Sequence, residues 1–309
     1  MFSLWELILQ QFINGLILGS FYALVALGYS MVYGIIKLFN FAHGDIYMTG
    51  AFVCLSIFGI LSGMIPGWPG IVCSILAAMG LTAVVGFLAQ RFAYRPMLNA
   101  PRLSLMITAI GVSLILYNSV MIITNSRPFV FQSGLDNSAG IQIGNISITY
   151  IQITLLLISA AAMIGLTLFI GRTMMGKAMR AISLDQDTCK LMGVNVNKVI
   201  GITFAIGSAL AAVAGGLHCI YYGNVKYTMG YIFGIKAFTS AVIGGIGSIP
   251  GAMLGGLLLG LLEAIGTQLL TSLGVSGSAW KDVFAFGLLI IILIFRPNGL
   301  MGKTEIERM

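Results

Sequence analysis

Long apolar runs alternate with short polar breaks along the whole chain. Uninterrupted hydrophobic stretches cover residues 8–36, 46–62, 70–90, 104–124, 149–170, 199–220, 232–246, 251–272 and 282–295. Most are about 20 residues long, the length at which a helix rising ~1.5 Å per residue crosses ~30 Å of hydrocarbon. Strands of a membrane barrel would alternate polar and apolar residues over about ten positions, and these runs do not. The pattern predicts an all-α, polytopic transmembrane helical bundle with about eight to ten crossings. Two places leave the count open. The first run is long enough to hold two spans, and the short, Gly-rich pair 232–246 and 251–272 leaves room for a broken or re-entrant piece.

Composition agrees with this class and excludes others. Hydrophobic residues make up 58% of the 309 positions and charged residues 8%, where soluble domains carry about 25% charge. The mean hydropathy is +1.01. The 40 glycines suit close helix approach in lipid. Gly15/Gly19, Gly251/Gly255 and Gly256/Gly260 have the spacing of small-residue packing faces. Cys54, Cys73, Cys189 and Cys219 lack metal-ligand spacing and read as packing residues rather than a disulfide framework.

The net charge of +7 reads as the bias of cytoplasmic loops toward Lys and Arg, with no nucleic-acid partner expected. Arg91, Arg95 and Arg102 share one connection. Arg172, Lys177, Arg180, Lys190 and Lys198 share another, and Arg296, Lys303 and Arg308 lie in the tail. These segments, and with them the C-terminus, are expected to be cytoplasmic. The alternate loops, 63–69 and 125–148, contain only Arg127. The second of them, with Ile141, Ile143, Ile146 and Ile148 alternating, reads as a small external hairpin. Met1 to Gln11 has no Lys or Arg, so the first span is expected to serve as an uncleaved insertion signal. No appended soluble domain is expected, which leaves chemistry to the membrane interior, the two short faces and partners.

Polar groups inside apolar runs are costly and usually functional. Phe39-Asn40-Phe41-Ala42-His43-Gly44-Asp45 separates two runs and has two readings. At the interface it is a polar turn anchored in headgroups. Deeper, it is a helix break whose freed backbone groups contact a solute, as in transporters built from discontinuous helices. Lys236 either snorkels to the external interface or turns inward. Glu263 lies near the middle of 251–272, too far from either end to snorkel, and either accepts hydrogen bonds from another helix or stays protonated. Asn40, Phe41, His43, Asp45, Lys236 and Glu263 are therefore the candidate translocation-path residues.

The connection 172–198 carries two further signals. Gly171-Arg-Thr-Met-Met-Gly176-Lys177 has the spacing of a phosphate-binding loop. Ala178 follows where Mg²⁺ coordination needs Ser or Thr, and a membrane span precedes it rather than a strand, so no ATP-hydrolysing site is expected here. Residues 177–193 predict one short amphipathic helix ended by Gly193. It is either a solvated loop that sets topology or a docking helix. In the second reading Leu191 and Met192 enter a partner's groove while Arg180, Asp185 and Asp187 set the register. No Ser–His pair and no metal-site spacing of His43 or His218 appears, so catalytic and metal sites are expected to be none.

Several motifs occur together in order. Ala23 through Asp45, Ala93-Tyr-Arg95-Pro, Ile107 through Ser113, Met179-Arg180-Ala through Leu191-Met-Gly193-Val-Asn195-Val-Asn-Lys198, and Phe295-Arg296-Pro-Asn-Gly299-Leu-Met-Gly302 resemble the permease subunit of high-affinity branched-chain amino-acid ABC importers. The resemblance spans nearly the whole chain. Around Asn40–Asp45 it is to the leucine/isoleucine/valine subunit without an N-terminal extension rather than to its longer paralogue.

It implies a single transmembrane permease domain over 1–309, an external hairpin loop at 125–148 and a cytoplasmic coupling segment at 172–198 that includes Arg180, Asp185, Asp187, Leu191, Met192 and Gly193. The implied location is the bacterial inner membrane. The implied partners are a second homologous permease subunit, two cytoplasmic ATPase subunits, a periplasmic substrate-binding protein and the lipid bilayer. ATP and Mg would be bound by the ATPases, with no cofactor in this chain. Urea and short-amide importers use similar permeases, and that substrate class stands as an alternative. A stand-alone secondary transporter with Asp45 or Glu263 as its ion-coupling carboxylate is the other.

Overall fold

The computed structural model describes residues 4–98, 100–132, 134, 139–143 and 146–302. Helices follow the apolar runs because lipid offers no partner to a free peptide group, and a helix satisfies its own. The chain forms α1 (Leu4–Ile36), α2 (His43–Leu61), α3 (Trp68–Ala89), α4 (Arg95–Met97), α5 (Arg102–Ile123), α6 (Tyr150–Arg172), α7 (Met174–Leu184), α8 (Gln186–Leu191), α9 (Val196–Tyr222), α10 (Met229–Gly244), α11 (Ile249–Ser272) and α12 (Lys281–Phe295). A π-helical turn at Gln90–Tyr94 carries α3 into α4. Among the described residues, eight helices are long and apolar enough to cross a membrane, and α10 is a shorter apolar helix. The first apolar run is thus one helix of 33 residues and not two spans.

Helices α1 and α9 form the interior. Gly19 through Val32 and Leu210 through Ile220 are buried without interruption. Helices α5 and α12 lie outside and present Ile107, Ile115, Val283, Ile290 and Ile294 outward, a surface suited to acyl chains and not to water. The small-residue faces meet as their spacing implies. Gly15 and Gly19 of α1 lie against Gly256 and Gly260 of α11, so closely that a Cβ added at Gly260 would stand 2.1 Å from the Gly19 nitrogen. Gly251 and Gly255 perform the same role against α10.

Two short antiparallel ladders close one end of the bundle. Strand β2 (Gly140–Ile143) pairs with β3 (Ile146–Thr149), and β1 (Phe129–Val130) pairs with β4 (Asn224–Val225). The hairpin's Ser133, Leu135 to Ser138, Gly144 and Asn145 lie outside the described residues, as do Lys303 and Arg308 of the tail. Helices α7 and α8 sit at the other end.

Helix α2 does not start at that end. The chain leaves α1 at Ile36, turns through Lys37 (φ 56°) and runs back before α2 begins at His43. The His43 ring lies against Gly28 of α1. Gly28 is eight residues inside the end of α1, about 12 Å at ~1.5 Å per residue. The polar Asn40–Asp45 break therefore lies within the bundle, which is the deeper of its two readings. Helix α10 is also short at 16 residues, about 24 Å. The chain beyond α12 folds under it, where Leu300 and Met301 N–H groups donate to the Ile243 and Gly244 carbonyls at 2.9 Å each. Those bonds satisfy carbonyls that a helix end leaves open.

Candidate functional site

A cavity of about 580 Å³ opens where α2, α5 and α10 meet, within the ~300–1,000 Å³ typical of small-molecule sites. Two backbones approach closely at its wall: a Cβ at Gly44 would lie 2.4 Å from the Gly230 carbonyl oxygen and 2.7 Å from the Gly234 Cα. With no side chains there, the N-terminus of α2 faces the first turns of α10. Phe41, Gly44 and Asp45 line the cavity from α2 and the turn before it. Ile110, Ser113, Leu114 and Tyr117 line it from α5, and Gly230, Tyr231, Ile235 and Phe238 from α10.

Asp45 is the charged residue of this wall. It is buried, and its Oδ2 accepts a hydrogen bond from the Ser113 hydroxyl at 2.5 Å. Its place in the first turn of α2 is favourable, since the exposed N–H groups of a helix start attract negative charge. Among the described residues no basic side chain forms an ion pair with it.

The other residues of the break position it. Asn40 Oδ1 accepts from the Ala42 N–H at 3.1 Å and from the Tyr94 hydroxyl at 2.5 Å, fixing the turn ahead of α2. The His43 ring packs edge-on to Tyr29, with centroids 4.9 Å apart. It occupies the gap left at Gly28, where a Cβ would stand 2.1 Å from Nε2. Of these four residues, Phe41 and Asp45 reach the cavity, while Asn40 and His43 brace its base.

Lys236 and Glu263 belong to a separate cluster and do not line the cavity. Lys236 is buried and does not snorkel: its Nζ lies 2.7 Å from Glu263 Oε1 and 3.0 Å from Asp282 Oδ1. Glu263 also accepts from the Tyr22 hydroxyl at 2.9 Å. Burying either charge alone would be expensive, and the pair neutralises itself while tying together α1, α10, α11 and the start of α12.

The connection after α6 differs from the single helix expected. It is two helices, α7 and α8, broken at Asp185. Asp185 leaves helical geometry (φ −155°) and caps α8, accepting from the Asp187 and Thr188 N–H groups at 2.9 and 3.1 Å and from the Thr188 hydroxyl. Those bonds, the Thr188 hydroxyl foremost, hold its carboxyl below the usual carboxylate range. Arg180 turns back to donate to the Ile170 and Gly171 carbonyls at the end of α6. Asp187 pairs with Lys190 at 2.8 Å, and Gly193 ends the segment with φ 80°. Asp185 and Arg180 thus serve the segment itself. Met179, Ile182 and Cys189 are buried beneath it, while Leu184, Leu191 and Met192 stand 89%, 88% and 79% exposed.

Ser113, Tyr117, Gly230, Tyr231 and Phe238 are among the wall residues that chain pattern alone did not single out. A hydroxyl inside an apolar span marked Ser113. The aromatic residues carried no such mark, because an aromatic in a membrane helix is ordinary.

A polytopic bundle with a helix start set into its interior, a cavity at that start and exposed apolar residues on a helical segment at one end has the features of a multi-pass membrane transport protein. Sequence comparison is more specific. Residues 11–293 match the family described as "Branched-chain amino acid transport system / permease component", and the chain belongs to that family. It is 45% identical over 307 residues, 97% of each chain, to the "High-affinity branched-chain amino acid transport system permease protein BraD" of Pseudomonas aeruginosa. It is 43% identical, again over 97% of each chain, to the permease protein LivH of Escherichia coli, described in the same terms. A probable branched-chain amino acid transport permease of Methanocaldococcus jannaschii is 29% identical over 94% of this chain and 91% of its own.

Proposed function

We propose that this chain is a transmembrane permease subunit of an ATP-driven importer that translocates branched-chain amino acids delivered by a periplasmic binding protein. The observation that carries this reading is the near-full-length identity of 45% and 43% to two permeases named for high-affinity branched-chain amino acid transport. The other components are a second homologous permease subunit and two ATPase subunits, which bind ATP and Mg.

In this reading the end of the bundle bearing α7, α8 and the 296–302 tail is cytoplasmic, in keeping with its Lys and Arg content. Leu184, Leu191 and Met192 are the surface offered to an ATPase, since three large apolar side chains exposed on one short segment gain most by being covered. The helix-to-helix passage from α6 to α7 through Thr173 contrasts with the strand-to-helix passage of a phosphate-binding loop, which supports placing ATP hydrolysis in the partners. Closure of the ATPase pair moves α7 and α8, and the bundle responds by alternating access at the permease interface.

The test is uptake by the complex reconstituted in vesicles with its binding protein, using labelled leucine and competing isoleucine, valine and urea. ATP-dependent leucine uptake inhibited by isoleucine and valine but not by urea is expected. Competition by urea alone, or leucine uptake driven by an ion gradient without ATP, overturns the proposal.

A further inference from the structure

Among the described residues two carboxylates are buried, and the bundle treats them differently. Glu263 is neutralised by Lys236 at 2.7 Å. Asp45 is enclosed as well, yet its hydrogen-bond partner is the neutral Ser113 hydroxyl, and no basic side chain among the described residues pairs with it. A carboxylate inside a membrane protein without a counter-charge is costly, and such groups mark substrate or ion pathways. Asp45 also lies on the wall of an open cavity and not within packed side chains. The balancing cation therefore has a way in.

The rest of the wall says what else the cation carries. Around Asp45 the cavity is apolar, with Ile110, Leu114, Ile235 and Phe238 facing the space and no Lys, Arg or His among its lining residues. An anionic group set in an aliphatic and aromatic wall complements an ammonium attached to a short hydrocarbon. A bare metal ion would want several oxygen ligands, and the described residues contain no cluster of three acidic, His or Cys side chains to supply them.

We propose that this cavity is a subsite for the amino acid within the permease itself. Asp45 receives the substrate α-ammonium, Ser113 holds the carboxylate of Asp45 in position, and the Ile110–Leu114–Phe238 wall takes the branched side chain. The substrate carboxylate is left to the hydroxyls of Tyr117 and Thr228 on the same wall. The inference rests on the importer reading above and adds to it a place where the permease recognises what it carries.

The experiment uses the reconstituted importer with its binding protein and ATPases, supplied with a diazirine analogue of leucine and trapped by ATP and vanadate. Cross-linked peptides are mapped by mass spectrometry. Labelling is expected on α5 and α10, at Ile110, Leu114 or Phe238. Excess leucine should suppress it, and isocaproate, which has the same hydrocarbon but no amine, should not.

Asp45→Asn should reduce labelling and leucine uptake at least tenfold while leaving co-purification with the ATPases intact. Asp45→Glu should restore part of both. Protection by isocaproate equal to that by leucine, labelling confined to other helices, or wild-type uptake by Asp45→Asn overturns the subsite and leaves the importer reading standing. An importer that neither transports nor is labelled by the leucine analogue at any position overturns both. Should Asp45→Asn fail to assemble, Ser113→Ala replaces it, with a severalfold rise in the leucine concentration for half-maximal uptake expected and no change overturning the proposal.

Discussion

The side-chain amide of Gln186 donates a 3.1 Å hydrogen bond to the backbone carbonyl of Ile35. Gln186 is the first residue of α8, and Ile35 lies in the last turn of α1. The bond therefore fixes the exposed α7–α8 segment to the point where the chain turns inward toward Asn40 and the start of α2. A carbonyl in the last turn of a helix has no intrahelical donor, so the amide also satisfies a group that would otherwise need water.

Gln186→Ala removes this link without touching the cavity or the exposed apolar residues. One hydrogen bond contributes about 0.5–1.5 kcal/mol, so the folded chain should survive. The expected outcome is normal assembly and ATP hydrolysis with severalfold less leucine imported per ATP. Parallel measurement of uptake and hydrolysis in the same vesicles checks it, and an unchanged ratio would remove Gln186 from the coupling route.

Leu191 and Met192 give a sharper contrast between stability and assembly. Both are exposed, so polar replacements should alter the stability of the isolated chain by no more than about 0.5 kcal/mol. Leu191→Asp combined with Met192→Asp should nevertheless abolish co-purification of the ATPases. Thermal unfolding in detergent, run beside the pull-down, separates the two effects.

The spans were legible in the chain because lipid imposes a long apolar run on every crossing helix, and the glycine spacings of α1 and α11 did identify a packed face. The site was legible in part. The Asn40–Asp45 break stood out because polar residues interrupt apolar ones, but its depth depends on His43 seating against Gly28, a contact between helices that no local pattern encodes. Lys236 invited a snorkelling reading because its partner, Glu263, is distant in sequence. Asp185 invited a partner-facing reading because a cap and a docking charge use the same residue type.

The Lys236–Glu263 pair permits a test of what buried charge does for this bundle. Removing one member leaves the other buried and unpaired, which typically costs about 3–5 kcal/mol, whereas replacing both by apolar residues is often close to neutral. Lys236→Met and Glu263→Leu should each lower the unfolding temperature strongly, and the double variant should recover most of the loss. If instead both single variants keep wild-type stability, the cluster has no structural weight and a transport role for these residues gains ground.

Gly28 and His43 offer a test of whether the α2 start is held in place by packing. A methyl group at Gly28 would stand 2.1 Å from His43 Nε2 and 2.5 Å from Cε1, so the imidazole must move if any side chain is added there. The ring has little room to yield, because Tyr29 packs edge-on to it with centroids 4.9 Å apart. Overpacking of this kind costs about 1–3 kcal/mol. Gly28→Ala should accordingly lower stability and shift the start of α2, with a loss of leucine uptake larger than the loss of folded protein. Combining it with His43→Ala removes the clash, and the double variant should be more stable than Gly28→Ala alone. The coupling energy between the two positions, read from unfolding of the four variants, is the quantity that decides. A value near zero would mean that His43 does not hold α2 against α1.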